Sequence, residues 1–233
     1  MNAAAHLAWR VFTSPETLAQ TLADTVAAAL DAAIVQRGRA FLALSGGTTP
    51  KRFLAALSRR DLDWSRMTVT LVDERFVPED SPRSNAALVR ATLLTGTAAA
   101  ARFIPLYRPA ADVETAARLA DATLASLPWP LDVAVLGMGA DGHTASFFPD
   151  ATDTAAFDPA GCATVVAVHA ESAAEPRLTL TLPRLASARF IALHIEGREK
   201  RRVLQQALSG ASELPVRKIF DNAEHPVQIF WAP

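Results

Sequence analysis

The sequence has little cysteine, no excess of charge and no long hydrophobic run. It holds one cysteine, Cys162, among 233 residues, so no disulfide can form within the chain and a reducing compartment is favoured. The formal net charge is −1, and a nearly neutral chain lacks the field that attracts nucleic acid or an anionic membrane. No apolar run approaches the roughly 18 residues of a membrane span. An anionic ligand would need a local cluster of basic residues.

Two further absences concern targeting and metals. Residues 1–16 lack the basic start and apolar core of a secretion signal, and we expect a cytoplasmic protein. The five histidines are scattered, and no pair has ligand spacing on a recognisable element. No metal site is therefore predicted, and the near-neutral charge predicts neither a nucleic-acid nor a membrane partner. We expect a monomer or a weak homo-oligomer, although the sequence carries no feature that fixes the oligomeric state.

Strand-like and helix-like segments alternate along the chain. Ser14 as N-cap, Pro15 at the first helical position and Gly38 past the end predict one long helix. Short apolar runs predict buried strands at 40–44, 67–72, 131–137, 164–168, 189–195 and 227–231. This alternation is typical of an α/β fold with a mostly parallel, doubly wound sheet and helices on both faces. No repeat or linker divides the chain, so we expect a single domain over residues 1–233.

In such sheets ligands lie outside the carboxyl ends of the strands, and the first loop of interest is "SGGTTP". Ser45, Gly46, Gly47 and Thr48 follow the strand at 40–44. Glycine lets backbone amides approach a ligand closely, and a helix N-terminus favours an anion. This pattern indicates phosphate binding, and the alternative is a plain tight turn with a threonine N-cap.

The second and third loops carry charge and a histidine. Asp73, Glu74 and Arg75 stand where the strand at 67–72 reaches the surface, either as a solvated loop or as part of a site. In "GMGADGHTASFFPD" (137–150) the glycines satisfy GxGxxG, but Pro149 interrupts the helix that a dinucleotide site requires. We interpret this stretch as a loop presenting His143 for proton transfer, with Asp141 orienting the ring. The alternative is a histidine capping a helix that begins at "TASFF".

A lysine completes the candidate site. In "GREKRR" (197–202), a helical projection puts Lys200 near the centre of the apolar stripe, with Arg198 and Arg202 on the opposite side. Burying an unpaired charge is costly, so an inward lysine requires a partner. An anionic ligand is the hypothesis that accounts for it most simply.

Together these segments resemble the 6-phosphogluconolactonase family. The matching motifs are "LSGGTTP", "DERFVPEDSPRSNAALVRATLL", "GMGADGHTASFFP" and "RLTLTLPRLASARFIALHIEGREK", in the family's order and over roughly residues 42–204. The family belongs to a larger α/β group of sugar-phosphate isomerases and deaminases. The resemblance implies hydrolysis of 6-phospho-D-glucono-1,5-lactone to 6-phosphogluconate in the pentose phosphate pathway, without a cofactor or an obligatory metal.

The resemblance also implies roles for individual residues. His143 would be the proton-transfer group, aided by Asp141, while Arg75, Lys200 and the loop Ser45–Thr48 would hold the phosphate and sugar. Arg177 of "RLTLT" would be a further basic group near the site, and we add Asp73 and Gly139 to the substrate-binding set. Two departures are visible: Ala186 replaces the usual asparagine after "TLTLPRL", and the tail "QIFWAP" lacks an acidic residue often found there.

Two rival functions are weighed against this one. Glucosamine-6-phosphate deaminase shares "DGH" but continues Ile-Ala-Phe-Asn-Glu-Pro, whereas this chain has Ser146-Phe147-Phe148-Pro149 and so lacks that glutamate. A non-catalytic sugar-phosphate sensor usually carries an added DNA-binding helix-turn-helix, for which we find no segment. The lactonase is the favoured hypothesis.

Overall fold

The computed structural model describes residues 8–210 and 212–233. The strands within this part are β1 (Ala8–Val11), β2 (Ala40–Leu44), β3 (Met67–Leu71), β4 (Asp73–Arg75), β5 (Arg102–Ile104), β6 (Val133–Leu136), β7 (Val165–Val168), β8 (Arg177–Leu180), β9 (Phe190–Glu196) and β10 (Val227–Ala232). The helices are α1 (Pro15–Arg37), α2 (Lys51–Leu57), α3 (Asn85–Thr92), α4 (Val113–Ala125), α5 (Leu182–Ala186), α6 (Arg198–Leu208) and α7 (Val216–Asn222).

Seven parallel strands form the main sheet, in the order β1-β10-β9-β6-β2-β3-β5. From β2 the chain runs outward through β3 to β5, and then returns to β6 on the other side of β2. The strand order therefore reverses between β2 and β6. In sheets of this kind the crevice at such a switch point is where ligands bind. The predicted α/β fold with a mostly parallel, helix-flanked sheet is confirmed.

A second, smaller sheet was not predicted. Strands β4, β8 and β7 pair antiparallel, and Arg75 lies opposite Arg177 in the register. Val72 joins the two sheets, because its N–H donates to Leu44 O (2.8 Å) and its carbonyl accepts from Leu180 N (2.9 Å). The small sheet thus begins one residue after β3 leaves the main sheet, and it brings β8 next to the candidate site.

Helix α1 begins and ends as predicted. The Ser14 hydroxyl accepts from Thr17 N, and Gly38 ends the helix at φ +74°, where glycine avoids the strain of a left-handed backbone. The expectation that no apolar run approaches a membrane span was wrong, since α1 reaches a mean hydropathy of 1.4 over 18 residues. Its alanines raise that value. Leu18, Leu22, Val26 and Leu30 are fully buried, so α1 packs into the core of the domain.

Candidate active site

A cavity of about 240 Å³ lies at the switch point between β2 and β6. The loops after β2 and β6 form two of its walls, and β4, β9, α2, α3 and α6 also contribute residues. Of the predicted site residues, nine line it: Ser45, Gly46, Gly47, Thr48, Asp73, Arg75, Gly139, His143 and Lys200. Loops far apart in sequence meet here because the carboxyl ends of parallel strands share one edge of the sheet.

The glycine loop after β2 is held by its neighbours at two points. Ser45 Oγ accepts from Gly137 N at 3.1 Å, which ties this loop to the end of β6. A Cβ built on Gly46 would lie 1.8 Å from Asn85 Oδ1. Any side chain at position 46 would therefore displace the Asn85 amide, and Asn85 also lines the cavity. The predicted loop is thus fitted closely against α3.

The start of α3 is organised by a buried carboxylate, Glu74. Its two oxygens accept four hydrogen bonds at 2.8–3.1 Å, from Arg75 N, Asn85 N, Ala86 N and Ser84 Oγ. Burial raises the pKa of Glu74, and these hydrogen bonds oppose the rise. Three backbone N–H groups bind this one side chain, so Glu74 fixes β4 against α3.

Asp73 and Arg75, on either side of Glu74, face the cavity. Asp73 Oδ2 accepts from Ser146 Oγ at 2.7 Å, and its carbonyl accepts from Asn85 Nδ2 at 2.9 Å. Arg75 donates through Nη1 to Arg83 O. The charged triplet is therefore part of the site, with its middle residue structural and its outer two lining the cavity.

His143 lies in the loop after β6 and is paired with Asp141. Its Nδ1 is 2.6 Å from Asp141 Oδ1, which also accepts from the His143 backbone N–H at 3.2 Å. Burial opposes the ionisation of Asp141, but the hydrogen bond and charge of His143 outweigh it, so the pKa of Asp141 lies below its usual range. Because an ionised carboxylate only accepts, Nδ1 carries the proton. In the neutral ring Nε2 then holds the basic lone pair.

The backbone around His143 has no room for larger residues. A Cβ on Gly139 would lie 2.3 Å from His143 Nδ1 and Cε1.

No helix starts at "TASFF", because residues 144–149 form turns with one isolated bridge between Thr144 and Phe147. The alternative reading of His143 as a helix cap is therefore wrong.

Lys200 lies in the first turn of α6, half-buried, and lines the cavity as the helical projection predicted. Arg198 and Arg202 are exposed. Burial lowers the pKa of Lys200, although Glu196 and Asp141 oppose this. Within residues 8–210 and 212–233, Lys200 makes no hydrogen bond and no ion pair, so its ammonium is available to a ligand.

Arg177 is not among the residues that line the cavity. Its guanidinium lies over the Phe148 ring, 5.7 Å from the centroid, and Nη1 donates to Glu175 O and Oε2 at 2.8 and 3.1 Å. Phe148 contacts both the Arg177 guanidinium and the His143 ring. Arg177 thus contacts Phe148, a neighbour of His143, and does not itself line the cavity.

Two polar residues that line the cavity were missed by sequence reasoning. Asn85 resembles any residue at a helix start, so nothing marked it. His194 lies in β9, with Nε2 3.2 Å from Glu196 Oε1 and a buried Nδ1 that has no partner among the described residues. The one signal for His194 was a polar side chain inside the apolar run "RFIALHI".

No cluster of three or more His, Cys, Asp or Glu side chains suited to a metal ion occurs in the described part of the chain. His6 lies outside that part. The candidate site therefore offers a histidine–carboxylate pair, two cations that line the cavity and a glycine-rich loop, which suits acid–base chemistry on a small anionic molecule.

Comparison with known proteins gives consistent matches. The model of the family described as glucosamine-6-phosphate isomerases/6-phosphogluconolactonase matches residues 13–231. The chain is 57% identical over 226 residues to a 6-phosphogluconolactonase of Mesorhizobium japonicum, covering 97% of this chain and 95% of that protein. A Rhizobium meliloti 6-phosphogluconolactonase is 54% identical, with 96% and 97% covered. The crystal structure of a Shewanella baltica 6-phosphogluconolactonase superposes with TM-score 0.94 at 37% identity, covering 98% and 99%.

Proposed function

The chain belongs to the family of glucosamine-6-phosphate isomerases and 6-phosphogluconolactonases, and we propose that it hydrolyses 6-phospho-D-glucono-1,5-lactone with His143 as the general base. Its class is that of its full-length relatives, so it is a lactone hydrolase. The product, 6-phosphogluconate, would enter the oxidative pentose phosphate pathway in the cytoplasm. The observation that carries the mechanism is the His143–Asp141 pair at the edge of a cavity that also holds Lys200 and Arg75.

The base acts on water. A lactone is an activated ester, so hydrolysis requires a proton acceptor for the attacking water and donors for the developing oxyanion. Neutral His143 takes a proton through Nε2 as water attacks C1, and it then returns that proton to the departing ring oxygen. Asp141 holds the imidazole by its Nδ1–H. Backbone N–H groups of the glycine loops receive the oxyanion.

The phosphate fixes the distance between the ring and His143. Lys200, Arg75 and the loop Ser45–Thr48 bind the anionic end, while Asp73 and Gly139 border the sugar. Holding the remote phosphate lowers the entropic part of the barrier at C1. Arg177 is left outside this binding set, because it does not line the cavity and its guanidinium contacts Phe148 and Glu175. The chemistry needs no cofactor and no metal.

The direct test follows lactone decay with and without the histidine. The lactone is generated in place from glucose 6-phosphate, NADP and its dehydrogenase, and its disappearance is compared for buffer, wild type and His143→Ala. We expect the variant to lose roughly 10²–10⁴-fold in rate, the usual contribution of a general base. His169→Ala is the matched control, since His169 pairs with Glu114 at the similar distance of 2.7 Å but is exposed and lines no part of the cavity.

The outcomes separate the candidate functions. Decay at the buffer rate in every sample would reject the lactonase, and ammonia release from glucosamine 6-phosphate would then identify a deaminase. Binding of 6-phosphogluconate without turnover would indicate a sensor. A loss below about tenfold in His143→Ala would reject the general base alone.

A further inference from the structure

The ring of His143 is restrained on one face as well as at one edge. Asp141 holds Nδ1, but a single hydrogen bond leaves the ring free to tilt about that bond. Phe148 packs against the imidazole with the ring centroids 4.6 Å apart and an interplanar angle of 37°. Phe148 is itself buried. Packing against a buried ring at this distance restricts the tilt of the imidazole, and hence the direction in which Nε2 points.

Phe148 also contacts Arg177. The guanidinium lies 5.7 Å from the Phe148 centroid, within the range at which a cation is attracted to an aromatic face. The Arg177 side chain is only 11% exposed, and a buried cation–π contact is stronger than an exposed one because less water competes for the cation. The buried guanidinium of Arg177 therefore makes a cation–π contact with the Phe148 ring.

Arg177 is anchored by a chain of polar contacts that begins at the cavity. It donates to the backbone carbonyl and the carboxylate of Glu175, and the same carboxylate pairs with Arg83. The Arg83 carbonyl accepts from Arg75, which lines the cavity. The contacts thus run without a break from Arg75 to Arg177, and then through Phe148 to His143.

We propose that Phe148 and Arg177 are positioning residues for His143, and that Arg177 acts through the Phe148 ring and not on the substrate. This proposal rests on the proposed function of His143. It predicts that either side chain contributes to the chemical step and not to substrate binding. It also predicts that the two contributions overlap, because one acts through the other.

The test is a double-mutant cycle on kcat and KM with Phe148→Leu, Arg177→Met and the pair together. A small misplacement of a catalytic group can cost up to about 10²-fold, and we expect each single variant to lose roughly tenfold in kcat. KM and the affinity for 6-phosphogluconate stay within about twofold. The double variant is no slower than Phe148→Leu alone, because interacting residues are not additive. Arg177→Lys, which keeps the cation, recovers part of the loss.

A matched control variant separates a loss of catalytic positioning from a general loss of stability. Arg184 stacks on Trp129 at 4.8 Å and donates to Thr164 Oγ, and none of these three residues lines the cavity. Arg184→Met loses a similar contact, and we expect its kcat to match the wild type. Thermal melting of every variant confirms that each one is folded at the assay temperature.

Three results would overturn the proposal, and each can be told apart from the others. Additive losses, or a KM that rises in Arg177→Met, would place Arg177 on the substrate and overturn the proposal, as would an unchanged kcat. A second readout does not depend on activity: the proton NMR signal of the His143 Nδ1–H, hydrogen-bonded to Asp141, should weaken in Arg177→Met and persist in Arg184→Met. If the wild type fails to hydrolyse the lactone, the proposed function fails, and this signal still decides whether Arg177 orders the histidine.

Discussion

Replacing Lys200 with methionine should stabilise the free protein and weaken its ligand binding. The ammonium is half-buried beside the cavity, without a hydrogen bond or ion pair in the described part of the chain, and burial lowers its pKa. Because the pKa of Lys200 is lower in the folded protein than in the unfolded chain, the charged ammonium reduces the free energy of unfolding at neutral pH. This cost disappears only when the pH rises above 10.5, the pKa of an ordinary lysine in the unfolded chain. Methionine keeps most of the apolar stem and removes the charge.

The stability gained in Lys200→Met is limited because the Lys200 ammonium is partly exposed to solvent. Burying an unpaired cation costs free energy, and screening of a partly exposed group keeps that cost small. We therefore expect Lys200→Met to gain at most about 1 kcal/mol, or roughly 2–4 °C in Tm for a chain of this length. The loss in binding is larger, since removing one partner of a desolvated charge pair costs about 2 kcal/mol or more, near 30-fold in Kd.

These opposite effects predict a reversal that melting can detect. With 6-phosphogluconate at 100 times the wild-type Kd, the ligand adds about 2.7 kcal/mol to the wild type and, at a 30-fold weaker Kd, only about 0.9 kcal/mol to the variant. Lys200→Met should therefore melt above the wild type without ligand and below it with ligand. Arg202→Met is the control, because Arg202 is exposed on the same helix. A Lys200→Met protein that melts lower without ligand and keeps its affinity within twofold would refute the reasoning.

Three further changes have definite expected results. Glu74→Gln places an NH₂ group against backbone donors that now bind a carboxylate, and urea unfolding should show a loss of about 2–4 kcal/mol; a loss below about 0.5 kcal/mol would contradict this role. Gly139→Ala puts a Cβ 2.3 Å from the His143 ring, so kcat should fall by roughly 10²-fold in a protein that still gives a native circular dichroism spectrum. For Glu196, the hydrogen bond from His194 lowers the pKa, with smaller contributions from neighbouring charges. A lowered carboxyl pKa stabilises the fold above the ordinary value of 4.5, and this contribution is lost as the pH falls through the folded-state pKa. The difference in unfolding free energy between wild type and Glu196→Gln should accordingly be constant near neutrality and shrink in acid, and a difference that grew in acid would reverse the assignment.

Much of the site followed from the order of strands, loops and helices. Parallel strands bring their carboxyl ends to one edge, so loops that follow apolar runs at 40–44, 67–72 and 131–137 were expected to meet. The inward direction of Lys200 followed from helical phase alone. Both inferences depend on the spacing of apolar residues along the sequence. The strands and helices of the structure follow that spacing.

The small antiparallel sheet could not be predicted in the same way. Strand β4 has only three residues, all of them charged, and β8 is buried at Leu178, Thr179 and Leu180 in succession. The sequence of neither strand therefore alternates between apolar and polar residues as a half-exposed strand does. The position of Arg177 depends on the pairing of these two strands. The family resemblance places Arg177 in the substrate-binding set, and it carries no information on that register.

Charged residues near the cavity therefore divide into two groups that sequence cannot separate. Arg75 and Lys200 line the cavity, whereas Glu74 and Glu175 lie behind it and bind backbone or guanidinium groups. A buried carboxylate is tolerated only where several donors surround it, and such donors gather where two elements must be held at a fixed spacing. Glu74 thus holds the backbone of Arg75, and Glu175 holds the guanidinium of Arg177. For the same reason, the Phe148–Arg177 contact should influence kcat before it influences KM.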